Sequence, residues 1–142
     1  MGFTRPSPII DDAVAFASQC ANVASQLHDI SGKSKATESS IRFTAEDCEA
    51  LRLSWARIGK WCQYWGEVDD ALLQWLHPAL MIGQMVVSAL EHDVHNFRSA
   101  LESSRLKRRP EATWNESIVR SHRDLLKGQV GDLSILLEAI KL

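Results

Sequence analysis

Two histidines in the stretch EHDVH, His92 and His95, have the spacing that comes nearest to a metal site. Three positions apart on a helix, both rings would lie on one face and could share a metal ion. A zinc protease needs two histidines four apart with a glutamate between them, and a di-iron bundle needs Glu-x-x-His pairs on two helices. Neither pattern occurs in the chain. We therefore predict two solvent-exposed histidines, no metal and no cofactor.

Adjacent carboxylates, which could serve as general acid and base, occur at Asp11-Asp12, Glu46-Asp47 and Asp69-Asp70. Each pair lies near the expected start of a helix, where the helix dipole favours negative charge. The chain contains no nucleophile elbow, no phosphate-binding loop and no dinucleotide fingerprint. We therefore predict that the protein is not an enzyme.

The cysteines and the overall charge limit the cellular setting and the partners. Cys20, Cys48 and Cys62 form an odd set without a C-x-x-C pair, which favours reduced thiols in the cytosol. The start of the chain, MGFTRPSPII, lacks an apolar signal core, and no uninterrupted apolar run reaches the roughly 18–20 residues of a membrane span. A net charge of −2 and a pI of about 6.2 argue against nucleic-acid binding. These features predict a cytoplasmic protein.

Four of the five tryptophans fall within 21 positions, from Trp55 to Trp75, and Arg57 and Lys60 lie among them. Such a cluster could stack nucleobases or sugars, or it could fill a helical core. At 100° per residue Trp55, Trp61 and Trp65 share the apolar stripe of the second predicted helix and the two cations fall outside it, which favours the core. Trp61 lies at the edge of the stripe, so we predict that it is the most exposed of these rings and part of a partner surface.

Apolar residues recur every three or four positions along most of the chain, which is typical of helices. The spacing predicts one inner stripe for each of the first three helices: Ile9, Ala13, Phe16, Cys20, Val23, Leu27 and Ile30; Ile41, Ala45, Cys48, Leu51 (or Arg52), Trp55, Ile58, Cys62 and Trp65; and Leu73, Leu76, Leu80, Gly83, Val87, Leu90, Val94, Phe97 and Leu101. The pattern predicts helices over about 8–31, 36–65, 68–104 and 110–141, the last opening at Pro110, with Thr44 as an alternative start for the second. Pro78 predicts a kink in the third helix or a restart of that helix. Four amphipathic segments with short links predict a single all-α domain, 1–142, folded as an antiparallel four-helix bundle.

The inner face of the fourth helix is predicted from the same spacing. His122 and Gln129 lie on it, seven residues apart, and either form a buried polar layer that fixes helix register or stand on an exposed flank. The full predicted face comprises Trp114, Ile118, His122, Leu125, Gln129, Leu133, Leu136 and Ile140.

Two surfaces are candidates for binding. Met81, Ile82, Met85 and Val86 make the third helix apolar around most of its girth, which indicates either a protein or lipid contact or deep burial in the bundle. The segment RLKRR either contacts anionic lipid headgroups or forms a solvated loop. Its cations are Arg105, Lys107, Arg108 and Arg109.

Three stretches carry a family resemblance: IIDDAVAFASQCANVASQLHDI, TESSIRFTAEDCEALRLSWARIG, and TWNESIVRSHRDLLKGQVGDLSILLEAIKL with Trp114, Leu125-Leu126 and Leu133-x-x-Leu136-Leu137. In this pattern the chain resembles the HeLo-like N-terminal helical domains of fungal NLR-like receptors, which precede NACHT-type NTPase or ankyrin regions. The resemblance implies a four-helix effector domain in immune or cell-death signalling, active through self-association and membrane contact. The first helix departs from the family because it has three aspartates and no Lys or Arg, which favours self-association over docking on anionic lipid.

A different function stays open beside this one. A bundle of this size could bind a small molecule or a lipid in an internal pocket. The aromatic and sulfur-containing side chains predict that such a pocket would be lined by Trp61, Trp65, Trp75 and the methionines.

Overall fold

The computed structural model describes residues 8–33, 37–65, 70–107 and 114–140, except for the side chains of Pro8, Trp65, residues 103–107 and Ile140. This part of the chain folds into four α-helices: α1 (Pro8–Ser31), α2 (Glu38–Trp65), α3 (Asp70–Lys107) and α4 (Glu116–Ile140). The described residues contain no strand. The predicted all-α four-helix fold is confirmed.

The first two helices begin and end close to their predicted positions. α1 ends at Ser31, where the hydroxyl donates to the carbonyl of His28 at 2.8 Å and a turn follows. α2 begins at Glu38 and continues through Thr44, so the alternative start at Thr44 is wrong. The Thr44 hydroxyl is satisfied inside the helix, because it donates to the carbonyl of Ser40 at 2.7 Å.

The fourth helix begins at Glu116, and the prediction that it opens at Pro110 is wrong because Trp114 and Asn115 are not helical. Asn115 is the N-cap: its Oδ1 accepts a hydrogen bond from the backbone N–H of Ile118 at 3.2 Å. An asparagine in this position satisfies one of the free N–H groups of the first turn. The cap overrides the helix-starting tendency of the proline.

α3 is a single α-helix of 38 residues with Pro78 inside it, so the predicted restart at Pro78 is wrong. A proline removes one backbone hydrogen bond from the helix and adds a ring on the side of the preceding turn. The Pro78 side chain is exposed, and the flanking residues Leu76 and Leu80 are buried in the core. Packing on both sides of the proline holds the helix together.

Consecutive helices run antiparallel, as predicted, but they are not all neighbours. α1 packs against α2 and α3, and α4 packs against α2 and α3, so α2 and α3 stand at diagonal corners of the bundle. Neighbours α2 and α4 are parallel, since Trp114 bonds to Ser40 and Gln129 bonds to Trp55. The order around the bundle is therefore α1, α2, α4, α3.

The core follows the predicted apolar stripes of the first three helices. All predicted inner residues of α1 are buried, and Ile41 through Cys62 of α2 and Leu76 through Phe97 of α3 follow their predicted spacing. Phe16 of α1 meets Trp55 of α2 edge to face, with ring centroids 6.1 Å apart. The burial of these stripes supplies the main stabilisation of the bundle.

The inner face of α4 agrees with the prediction only in part. Leu133 is buried and Gln129 and Leu136 are half-buried, as predicted, but Ile118 and Leu125 are 48% and 53% exposed and Val119 and Leu126 are buried in their place. The helix is therefore rotated toward Val119 and Leu126, by less than the ~100° that separates consecutive residues. This rotation follows from the neighbours, because α4 turns its Arg123 toward α2 and its Gln129 toward both α2 and α3. Two apolar side chains are left at the surface beside α3.

Candidate interaction surface

A hydrogen-bonded glutamine joins three helices at the middle of the bundle. Gln129 Oε1 accepts from the indole N–H of Trp55 at 2.9 Å, and Gln129 Nε2 donates to the carbonyl of Ala79 at 2.7 Å. The side chain is half-buried, and its amide uses both a donor and the acceptor. Gln129 makes the kind of register-fixing polar contact that was predicted, between α4 and both α2 and α3, but His122 does not share it and the predicted two-residue layer does not form.

Gly83 of α3 is buried directly beside this glutamine. A Cβ at this position would lie 2.5 Å from Gln129 Oε1 and 2.8 Å from Cε2 of Phe16. These distances are below van der Waals contact, so only glycine fits where α3 crosses α1 and α4. The sequence placed Gly83 on the apolar stripe but gave no sign of this close approach.

A second polar contact joins α2 to α4. The Arg123 guanidinium donates through Nε to Asp47 Oδ2 at 2.9 Å and lies over the Phe43 ring, with Cζ 5.4 Å from the centroid. The side chains of Arg123 and Asp47 are only 18% and 14% exposed. Because α2 begins at Glu38, the pair Glu46-Asp47 lies inside the helix and not in its first turn. The prediction that the helix dipole explains this pair is therefore wrong. Sequence spacing could not show a pairing between residues 76 positions apart.

The other predicted polar residue of α4, His122, faces α3. Its Nδ1 lies 3.7 Å from Asp93 Oδ2, and the two side chains are 19% and 34% exposed. The two groups form an ion pair only when the imidazole is protonated. His122 therefore stands at the α3–α4 boundary and is separate from the Trp55–Gln129 contact.

The outer face of α3 carries three of the side chains predicted to form a partner surface. Met81, Ile82 and Met85 are 52%, 53% and 71% exposed, although the same helix buries Leu80 and Val87 in the core. Val86 is in the core, with only 8% of its surface exposed, and so it is not available to a partner. The alternative of deep burial is wrong for the two methionines.

The tryptophans do not form one site. Trp55 is fully buried and Trp114 nearly so, whereas Trp75 is 41% exposed. Trp61 is half-buried and lines a shallow surface depression with Lys60, Gln63 and Tyr64, so the prediction that it is the most exposed of the clustered tryptophans is wrong. The Trp65 side chain lies outside the described residues. Trp61 and Trp75 line different depressions, so the predicted pocket of tryptophans and methionines does not form between them.

A cleft of about 460 Å³ runs between the first half of α3 and the second half of α4. Its apolar walls are Trp75, Pro78 and Ile82 from α3 and Leu125 from α4, and Gln129 lies at its base. Two carboxylates, Asp124 and Asp132, stand along the α4 side. We call this feature the α3–α4 cleft. Sequence spacing does not predict it, because it depends on the rotation of α4.

A smaller cleft of about 290 Å³ lies at the other end of the same helix pair. Phe97 and Trp114 meet there edge to face, with centroids 5.3 Å apart, and the Trp114 N–H donates to the Ser40 hydroxyl at 3.1 Å. Ile118 lines its opening. Both clefts lie where α3 and α4 pack least closely.

The three cysteines are buried in the core and carry free thiols. Burial away from water raises the pKa of Cys48 to about 12 and raises the pKa values of Cys20 and Cys62 as well. For Cys20 the neighbouring Cys48 adds to this effect. A thiol with a raised pKa is a poor nucleophile at neutral pH, so these side chains act as core packing.

The remaining predicted residues fall into two groups. His92 and His95 are exposed, as predicted, and His92 Nε2 lies 3.1 Å from Asn96 Nδ2. The basic segment is not described at side-chain level: Arg105 and Lys107 are described in backbone only, and Arg108 and Arg109 lie outside the described residues.

One helix satisfies a membrane-span criterion of length and composition. Within α3, residues Asp70–Glu102 contain a window with a mean hydropathy of 1.2. The mean hydropathy reaches this value although Gly83 and Gln84 separate the apolar residues Met81-Ile82 from Met85-Val87. A core helix of a water-soluble bundle meets the same criterion, so the finding by itself assigns no membrane.

Comparison of the chain with protein-family models, with curated proteins and with solved structures finds no match.

Proposed function

We propose that this chain is a non-enzymatic interaction domain that acts by self-association, in the manner implied by its resemblance to HeLo-like N-terminal domains of NLR-like signalling proteins. The observation that carries the proposal is the exposed apolar face of α3. Met81, Ile82 and Met85 project away from the core over little more than one helical turn. Contiguous large apolar side chains at the surface are typical of protein contact sites.

The chemistry of these side chains supports a contact between proteins. Methionine is flexible and polarizable, and it adapts to a partner surface better than branched side chains do. The exposed face continues onto the α3–α4 cleft, since Ile82 belongs to both and Trp75 lies two turns before it on the same helix. Asp47, Trp55 and Gln129 make their polar contacts inside the bundle. We therefore assign these residues to the stability of the fold and not to partner binding.

Light scattering over a range of protein concentrations tests the proposal. We expect the wild-type chain to self-associate and the double variant Met81→Glu/Met85→Glu to shift strongly toward monomer, because each substitution places a charge on the contact face. Ile135→Glu is the matched control, since Ile135 is as exposed as Met85, at 71%, but lies on α4. A wild-type chain that is monomeric at every concentration would refute self-association.

The proposal includes a cytoplasmic location with recruitment to an anionic membrane through RLKRR. Each cation near such a surface contributes about 1 kcal/mol of attraction. We expect the wild-type chain to co-sediment with phosphatidylserine vesicles, and a variant with glutamine at positions 105, 107, 108 and 109 to remain in solution. Equal sedimentation of both proteins would show that the basic segment does not mediate membrane binding.

A second candidate function is small-ligand binding in the α3–α4 cleft, favoured by its volume of about 460 Å³ and its Trp75 wall. Volumes of roughly 300–1,000 Å³ are common for ligand sites. An apolar dye should then quench tryptophan fluorescence in the wild type and much less in Trp75→Phe. Identical quenching in the two proteins would argue against a ligand in the cleft.

A further inference from the structure

We propose that the α3–α4 cleft of one copy binds the exposed face of α2 from a second copy. This inference rests on the self-association proposed above, and it adds a specific pair of surfaces, of which the cleft shares Ile82 with the exposed apolar face of α3. The occupant is a second copy because the chain carries, on a separate face, a surface whose charge and apolar pattern complement the cleft.

The cleft is apolar with an acidic border. Trp75, Ile82 and Leu125 are 41%, 53% and 53% exposed and line it from both helices. Asp124 and Asp132 are exposed at its α4 side, and the lining contains no Lys, Arg or His. Neither aspartate has an ion pair within the part of the chain that the structure describes. The cleft therefore favours an occupant with apolar side chains and positive charges.

The exposed face of α2 has these properties. Leu53, Arg57, Lys60 and Tyr64 are spaced by four, three and four residues, so they form one stripe, and all four are exposed. Leu53 is 47% exposed and Tyr64 84%. From Leu51 to Trp65 the helix contains three cations and no carboxylate. We call these four residues the α2 stripe.

The dimensions of the two surfaces match. The stripe from Leu53 to Tyr64 extends over about 16 Å, and Asp124 and Asp132 are separated by about 12 Å along α4, at ~1.5 Å per residue. A helix lying along the cleft would place Leu53 and Tyr64 against Trp75 and Leu125. Arg57 and Lys60, about 4.5 Å apart along α2, would then lie between the levels of the two aspartates, and their long side chains would extend toward them. Amphipathic helices commonly bind in apolar grooves in this way.

The arrangement of the helices determines the form of the assembly. α2 stands diagonally across the bundle from α3, so the cleft and the stripe face different directions. Two copies cannot satisfy both contacts at once, and each dimer retains one unused cleft and one unused stripe. Such a head-to-tail contact produces rings or open filaments, not a closed two-fold dimer.

Charge reversal tests the interface. Variant C carries Asp124→Lys and Asp132→Lys in the cleft, and variant S carries Arg57→Glu and Lys60→Glu in the stripe. In either variant alone the cleft and the stripe have charges of the same sign. We expect self-association to fall about a hundredfold or more in each, because like charges placed across an interface are strongly unfavourable.

An equimolar mixture of C and S should assemble again, because the cleft of each variant then complements the stripe of the other. This rescue requires folded proteins, so it separates a broken interface from a broken fold. Glu102→Lys and Arg120→Glu are the controls, since both residues are exposed and lie on neither surface. Assembly of the wild type should also weaken as salt is raised.

The outcomes separate this inference from the proposed function. If the wild type associates but C and S associate equally well, or if the mixture fails to recover, the cleft–stripe contact is refuted and self-association stands. If the wild type is strictly monomeric, both proposals fail. If the mixture recovers, the contact is established as one between copies of this chain.

Discussion

The indole N–H of Trp55 in α2 points at Oε1 of Gln129 in α4, 2.9 Å away, and the amide of the same glutamine donates to the backbone of α3. One hydrogen-bonded side chain thus sets the axial position of three helices. Apolar contacts tolerate small shifts between helices, whereas a hydrogen bond of this length does not. The contact is therefore where the register of the bundle is decided.

Removing the donor should weaken the fold. Trp55→Phe leaves Gln129 Oε1 without its partner and leaves space beside Phe16, and we expect the free energy of unfolding to fall by roughly 2–3 kcal/mol. Urea unfolding followed by circular dichroism measures the change. Trp75→Phe is the matched control, and because Trp75 is 41% exposed its effect should stay within about 0.5 kcal/mol. Equal losses in the two variants would contradict the assigned role of Trp55.

Two glycines in helix interiors should respond to alanine with opposite signs. At Gly83 the new Cβ would lie 2.5 Å from Gln129 Oε1, so Gly83→Ala should destabilise the protein by about 1–3 kcal/mol. At Gly131 the Cβ would meet no atom within 4 Å, so Gly131→Ala should stabilise it by up to ~1 kcal/mol through helix propensity. Thermal unfolding of both variants gives the comparison. A stabilising Gly83→Ala would show that α3 does not approach its neighbours so closely.

The ion pair between α2 and α4 should matter more than the pairs at the surface. Asp47→Ala leaves the Arg123 guanidinium largely buried and unpaired, with an expected loss of about 2–3 kcal/mol in the free energy of unfolding. Asp29→Ala removes a longer contact, 3.7 Å from Arg98, in which the side chains are 35% and 69% exposed. That substitution should cost less than about 1 kcal/mol. Chemical denaturation of the two variants under the same conditions decides the order.

Alkaline pH should destabilise the fold through the cysteines. Burial raises the pKa of Cys48 from 9.0 to about 12, so in the window between these values the unfolded chain loses its thiol proton while the native chain keeps it. The unfolded state then binds fewer protons, and stability falls as pH rises above about 9. Unfolding measured from pH 7 to 11 should show a steeper decline for the wild type than for Cys48→Ala. Parallel curves would show that the Cys48 thiol does not contribute.

The accessibility of the same thiols gives a separate test. Below pH 9 all three are buried and protonated, so the native chain should react slowly with iodoacetamide and rapidly after unfolding in urea. Mass spectrometry counts the modified cysteines. Rapid labelling of the native chain at pH 8 would contradict the buried placement of these side chains.

The sequence by itself determined the helices and most of the core. The spacing of apolar residues by three and four positions is a local property of each segment. It places these side chains on one stripe of a helix, and the stripe leaves water only when it is buried against other helices. The residues Phe16, Cys20, Trp55 and Leu90 were placed correctly for this reason. The same periodicity left Met81 and Met85 open between a contact surface and deep burial, and the structure decided for exposure.

Only the tertiary structure decided the order of the helices around the bundle and the rotation of α4 about its axis. Ile118 and Leu125 satisfy the helical spacing as well as Val119 and Leu126 do, so periodicity cannot choose between them. The choice was made by long-range contacts, those of Arg123 with Asp47 and of Gln129 with Trp55 and Ala79. The α3–α4 cleft exists because of that choice, since a different rotation would have buried Leu125 and closed it.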